Sequence, residues 1–325
     1  MSIFSRLSAA LQIGFGGVNR AVGKTASVSS GQLKRPEGMR QFLLGLPSQA
    51  TNAKRPLVLV LHGAGANAKQ VLGMAFPPSP LSVWLEVAER ENLVVIAPDG
   101  NQTMTSRCWN DGYADIASNP ATDDVGLISD LIDKAIVEYQ VDPARVYLIG
   151  VSKGGMMAYR VATEIAPRLA AFGAILASMP VNSNCGMPQT ALSALIVANT
   201  KDPLVRYQGG KFFYTFSMHA PALSIESSVA VWRDLAGLPN EPEITPIPRR
   251  VPGSHTSATR QVWGKNKQQL QVSFIKVEGG GHAEPSERKR YPWLLTRMIG
   301  EQNGDFEVAE EAWAFFKNKR SGLQP

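Results

Sequence analysis

"VYLIGVSKGGMMAYRVA", residues 146–162, joins an apolar run to a lone serine among glycines and then to a segment of helical spacing. The run up to Gly150 reads as a strand and "GMMAYRVATEIA" (155–166) as a helix, which puts the serine on a sharp strand-to-helix turn. Gly150, Val151, Ser152, Lys153 and Gly154 spell G-x-S-x-G. Small residues around such a serine let the turn close and lift the hydroxyl clear of the sheet. The five-residue pattern is weak alone: with glycine and serine each near 7% of residues, a chain this long holds it by chance about one time in ten. The plain alternative is a glycine-rich turn with a helix-capping serine, so partners elsewhere in the chain must decide.

Outward from this stretch the same alternation recurs. "RPLVLVLHG" (55–63), "NLVVIAPDG" (92–100), "RVYLIG" (145–150), "ALSALIVANT" (191–200) and "QVSFIKVEGG" (271–280) read as strands, most of them too continuously apolar for a half-exposed sheet. "DDVGLISDLIDKAIVEYQ" (123–140) places Val125, Ile128, Leu131, Ile132 and Ile136 on one helical stripe behind an acidic start. "FEVAEEAWAFFKNKR" (306–320) reads as a closing helix with Trp313, Phe315 and Phe316 in the core. The expected architecture is α/β, a mostly parallel central sheet with helices on both faces. The Pro-rich region 237–268 reads as an irregular surface excursion beside the cleft. No repeat or linker divides the chain, so one domain is expected over 38–320, preceded by an N-terminal segment, 1–37.

At 325 residues with 44% hydrophobic and 18% charged residues, the composition is that of a soluble globular enzyme, and no apolar run is long enough for a membrane span. The formal charge of +6 is spread over short runs such as "ERKR" (287–290) and "KNKR" (317–320) with no nucleic-acid-reading motif, so a solvated basic surface is expected rather than a nucleic-acid partner. Cys108 and Cys185 are too few for a disulfide framework and are not spaced as a metal site; they form one bridge or stay two thiols. The first 36 residues lack Asp and Glu, and "LSAALQIGFGGV" (7–18) behind Arg6 reads as a weak export signal or a disordered lead, with no clear cleavage site. An extracellular or periplasmic place is expected ahead of a cytoplasmic one.

A serine hydroxyl needs a base, and the histidines are His62, His219, His255 and His282. His282 follows a strand in "GGGHAEP", where glycines let a loop bring the imidazole over the carboxyl end of the sheet; His219 and His255 are not at strand ends. The imidazole needs an acceptor on its other nitrogen, and Asp202 in "ANTKDPLV" lies just past a strand between the serine and the histidine. Ser–Asp–His is the chain order expected of α/β-hydrolases. For the oxyanion of a tetrahedral intermediate, backbone N–H donors are expected at Lys153 and at Ala64 in "LHGAGAN" (61–67), where His62 reads as structural.

"LHGAGAN", "APDG", "CWNDG", "DDVGLISDLI", "VDPARVYLIGVSKGGMMAY", "KDPLVRYQGG" and "EGGGHAEP" occur in that order between residues 38 and 318. Together they resemble the esterase and polyhydroxybutyrate depolymerase family of α/β-hydrolases, related to feruloyl and acetylxylan esterases. The resemblance implies a serine carboxylic ester hydrolase acting through an acyl-enzyme on soluble esters or short polyester oligomers. Ser152 would be nucleophile, His282 base and then acid, and Asp202 its orienting partner, with no metal or organic cofactor. Relatives of this kind are often exported. Three departures bear on substrate contacts: Ala64 stands where many relatives carry cysteine, Lys153 where a small or neutral residue is usual, and "HAEP" lacks the aromatic that commonly follows the histidine. Trp109 belongs either to the substrate pocket or to the core, and the resemblance leaves open a Cys108–Cys185 bridge tying a cleft loop to the segment before Asp202. The rival readings are a serine peptidase of the same fold and a binding protein that has lost the chemistry.

Overall fold

Leu57, Val58, Leu59, Val60 and Leu61 are all fully buried, which a strand achieves only when both faces of its sheet are covered. The computed structural model describes residues 23–49, 52–103, 106–116, 119–214, 218–267 and 269–322. The export-like stretch 7–18 lies outside them. In chain order the strands are β1 (Ser27–Arg35), β2 (Gly38–Leu46), β3 (Arg55–Leu61), β4 (Val94–Pro98), β5 (Asn101–Gln102), β6 (Arg107–Cys108), β7 (Val141–Val151), β8 (Ala171–Ile175), β9 (Ser193–Asn199), β10 (Gly210–Tyr214), β11 (Met218–Ala222), β12 (Glu243–Ile247), β13 (Ser257–Trp263) and β14 (Val272–Glu278). The helices that matter below are α1 (Ala68–Val71), α2 (Trp84–Glu91), α3 (Asp124–Glu138), α4 (Lys153–Glu164), α5 (Ile225–Leu235), α6 (Trp293–Ile299) and α7 (Val308–Phe316).

Ten strands form one sheet in the order β1-β2-β4-β3-β7-β8-β9-β14-β13-β12. The six from β4 to β14 run parallel, and antiparallel strands extend both edges. Alternate residues divide between two cores. Leu57, Leu59, Leu148, Phe172, Ile196 and Phe274 face α3, α4 and α5, whereas Val58, Val60, Tyr147, Ile149, Val197 and Ile275 face α2 and α7. Each such side chain, taken wholly out of water, stabilises the fold by about 1.5–3 kcal/mol before entropy is counted. On the second face the ring of Phe316 lies parallel to Tyr147 at 5.2 Å, which pins the closing helix to the middle of the sheet. Val125, Ile128, Leu131 and Ile132 of the α3 stripe are buried and Ile136 is partly buried, and the preceding Asp123 caps the helix by accepting from Gly126 N–H at 2.8 Å.

Two expectations are corrected. The sheet begins at Ser27 rather than at residue 38, because "SVSSGQLKR" joins as an outer strand through backbone hydrogen bonds to β2 while most of its side chains stay in water. The region 237–268 is not irregular throughout: β12 and β13 lie antiparallel beyond β14, with Pro246 accommodated in the outermost strand. Among the described residues no helix is long and apolar enough to cross a membrane.

Candidate active site

The site is assembled from the carboxyl ends of three parallel strands. β7 ends at Val151 and α4 starts at Lys153, leaving Ser152 alone on the turn with φ 55° and ψ −120°. A non-glycine residue in that region carries strain of about 1–3 kcal/mol and persists only where its surroundings impose it. Here Ser152 N–H donates to Ile175 O at 2.8 Å, and Ser152 O accepts from Met156 N–H at 2.9 Å. Gly154 shows why the motif needs its glycine: a Cβ there would fall 2.5 Å from Leu61 O and 2.6 Å from His62 O, both backbone atoms. Helix α4 therefore starts hard against the end of β3, and the turn that follows β3 reaches the serine. A Cβ built on Gly63 would be 3.5 Å from Ser152 Cβ.

His282 enters from the loop after β14. Its Nε2 lies 3.0 Å from Ser152 Oγ and its Nδ1 lies 2.7 Å from Asp202 Oδ2. A carboxylate only accepts, so Nδ1 carries the proton and Nε2 is left bare to accept from the serine hydroxyl. Asp202 is held in turn: Oδ1 accepts from Leu204 N–H and Val205 N–H, each at 2.8 Å, which leaves Oδ2 for the imidazole. The histidine loop is fixed by Asn199 at the end of β9, whose amide donates to Gly281 O and Ala283 O on either side of His282. His282 N–H donates to Ile299 O at 2.6 Å, and a Cβ on Gly281 would meet that same carbonyl at 2.2 Å. The fit excludes any residue but glycine there.

Burial alone would lower the His282 pKa. The negative charge of Asp202, its hydrogen bond and a further push from Glu284 outweigh it, and the imidazole titrates above its ordinary value. His62 shows the opposite result, since burial pushes it down to about 4. Its Nδ1–H donates to Gly63 O at 2.7 Å and its Nε2 accepts from Gly100 N–H at 2.9 Å, so it serves as a neutral structural peg under the turn, as the sequence suggested.

The other expected site residues separate. Lys153 follows the serine at the start of α4, and Ala64 lies in the turn after β3. The Lys153 side chain, however, turns away from any open cleft: it is fully buried, ion-paired with Asp111 of "CWNDG", and its Nζ donates to Asn119 Oδ1 at 2.7 Å. Of the two places left open for Trp109, the structure puts it in the core. It has no solvent exposure, and its indole N–H donates to His62 O at 2.8 Å. Cys108 is buried and Cys185 partly exposed, and both are thiols rather than a bridge. His255 is exposed beside Glu301; His219 lies in β11, with its side chain outside the described atoms. Asn199 and Glu284 were missed. The only signals were an asparagine closing a strand and a carboxylate where an aromatic is usual.

A central parallel sheet with antiparallel edges, helices on both faces and a serine on a strained strand-to-helix elbow define the α/β-hydrolase fold. The acetyl xylan esterase from Aspergillus awamori shares it, with a TM-score of 0.53 at 15% identity over 78% of this chain and 94% of that one. Residues 40–205 match the family Esterase PHB depolymerase, and the chain belongs to that family. It is 28% identical over 275 residues to the bifunctional acetylxylan esterase/xylanase XynS20E of Neocallimastix patriciarum, covering 84% of this chain and 35% of that protein. It is likewise 28% identical over 245 residues to the poly(3-hydroxybutyrate) depolymerase of Ralstonia pickettii, covering 72% of this chain and 44% of that protein. The chain thus spans less than half the length of these two curated relatives.

Proposed function

We propose that this chain is a serine carboxylic ester hydrolase working through an acyl-enzyme. The observation that carries the reading is the continuous hydrogen-bonded line from Ser152 Oγ through His282 to Asp202, built on a strained elbow. Ser152 Oγ attacks the ester carbonyl carbon while its proton passes to His282 Nε2, and Asp202 stabilises the imidazolium. The oxyanion is received by the backbone N–H groups of Lys153 and Ala64. Collapse of the intermediate breaks the bond to the alcohol, which leaves with the proton from His282. A water then surrenders a proton to the same nitrogen, attacks the acyl carbon and releases the acid, restoring the serine.

Soluble esters or short polyester oligomers are the substrates this reading favours, in keeping with the esterase and depolymerase relatives. The stretch 7–18 behind Arg6 is read as a weak export signal, to be tested by N-terminal sequencing of protein recovered outside the cytoplasm. The reaction itself is tested with p-nitrophenyl esters from acetyl to octanoyl set against matched anilides. Esters are expected to turn over well ahead of the anilides, and a fluorophosphonate is expected to label Ser152. Folded protein that neither turns over an ester nor takes the label would end this reading.

The base must be neutral to accept the serine proton, so kcat/KM rises as pH passes upward through the His282 pKa. Because that pKa is raised, the acid limb of the profile is expected to have its midpoint above about 6.5. A midpoint below that value would mean that the Asp202 charge does not dominate the imidazole.

A further inference from the structure

Two residues after His282, Glu284 is buried, with 4% of its surface exposed. Its Oε1 accepts from Ser79 Oγ at 2.8 Å and its Oε2 accepts from Tyr291 O–H at 2.8 Å. Both oxygens act as acceptors toward hydroxyls, the pattern of a carboxylate rather than a carboxylic acid. Its backbone is fixed as well, because Gln302 Nε2 donates to Glu284 O at 2.7 Å. Ser79 is itself held by the short helix entry at 79–81, where its Oγ also accepts from Leu81 N–H at 3.1 Å. The carboxylate therefore has one position, set by three separate parts of the chain, and no cationic side chain among the described residues hydrogen-bonds to it.

A buried carboxylate without a cation costs several kcal/mol unless hydrogen bonds or a nearby developing positive charge repay it. The two hydroxyls repay part. Two residues away on the same clamped loop stands the imidazole of His282, which becomes positive each time it takes the serine proton. Resting on the esterase reading above, we propose that Glu284 is a positioning residue whose fixed carboxylate, acting with Asp202, favours the protonated form of His282 during turnover.

Among the described residues, few groups bear on the imidazole. Asp202 faces it from the loop after β9, Ser152 from the elbow after β7, and Glu284 from its own loop. The segment packed behind it offers the Ile299 carbonyl, and Tyr291 reaches only as far as the Glu284 carboxylate. The push of Glu284 on His282 is in the direction the proposal requires.

The test reads the histidine directly. In protein labelled with ¹⁵N-histidine, the His282 titration is followed by NMR in the wild type, Glu284→Gln and Glu284→Asp, alongside the pH profile of p-nitrophenyl butyrate hydrolysis. Glu284→Gln keeps the shape and removes the charge, so the His282 midpoint and the acid limb are expected to fall together by about half a unit to one unit. Glu284→Asp, which keeps the charge, is expected to lie nearer the wild type. A merely structural role would change kcat or melting temperature and leave the midpoint in place; an unmoved midpoint in Glu284→Gln overturns the proposal. Tyr291→Phe keeps the carboxylate, provides a second folded variant should Glu284→Gln fail to fold, and is expected to move the midpoint less than a loss of charge would. A midpoint lowered in Tyr291→Phe by a full unit or more would also overturn it. The NMR titration needs no turnover, so protein inactive on every ester but showing the shift would count against the esterase reading and leave this one standing.

Discussion

Ser152→Ala is expected to lower kcat on p-nitrophenyl butyrate by about 10⁴-fold or more, with melting temperature nearly unchanged. The alanine keeps the Cβ and the positive φ, so the elbow stays as strained as before and only the hydroxyl is lost. Residual turnover of about 10³-fold over water would come from oxyanion donors and binding that do not depend on the hydroxyl. Rates and fluorophosphonate labelling measured on the same preparation check the claim. A variant that keeps a tenth of wild-type kcat would remove Ser152 from the role of nucleophile.

Lys153→Met is expected to act on stability instead. The substitution leaves Asp111 as a buried charge without its cation, a defect that costs about 3–5 kcal/mol. In a domain this large that corresponds to a fall of about 10 °C in melting temperature. Asp111→Asn in the same chain removes the stranded charge while keeping an acceptor for Asn119 and the Tyr113 N–H, and is expected to recover more than about 1 kcal/mol. Assayed well below the melting point, Lys153→Met is expected to keep its kcat within about tenfold, since the oxyanion contact proposed for this residue is made by its backbone N–H. Chemical denaturation of the single and double variants decides the matter, and a cost under 1 kcal/mol for the single variant would show that the pair contributes little.

The parts of this molecule legible in its sequence were those buried on both sides. β3, β4 and β9 carry long apolar runs because their residues face one core or the other, and β14 is apolar apart from Ser273, Lys276 and Glu278. β1 and β12 escaped notice for the complementary reason: "SVSSGQLKR" and "EITPI" are held mainly by backbone pairing, which leaves little trace in side-chain pattern. β8, "AFGAI", is too short and too rich in small residues to stand out from a loop. Ser152, Asp202 and His282 were legible as a set because chemistry demands those residue types at strand ends in that order. Their supports were not. The direction of the Lys153 side chain, the double clamp of Asn199 and the burial of Trp109 depend on which loops meet, and that follows from tertiary packing alone. Lys319 repeats the lesson, because a lysine in the basic run 317–320 is in fact buried, its ammonium donating to Lys267 O and Gln269 O, each at 2.7 Å.

The pairing of β14 with β9 has a consequence for how the protein acquires its chemistry. His282 and Asp202 are 80 residues apart in the chain, and His282 and Ser152 are 130 apart. Closing loops of that length carries an entropic cost that local helices and hairpins never meet, so such contacts are slow to form. The elbow at Ser152 draws on strands already neighbouring in space, whereas the relay waits until the last parallel strand has docked and carried its glycine loop over the sheet. During refolding, helical signal and tryptophan burial can return while the molecule is still chemically silent. On the proposed esterase reading, regained turnover therefore marks the moment when the serine elbow and the histidine loop, 130 residues apart, have found each other.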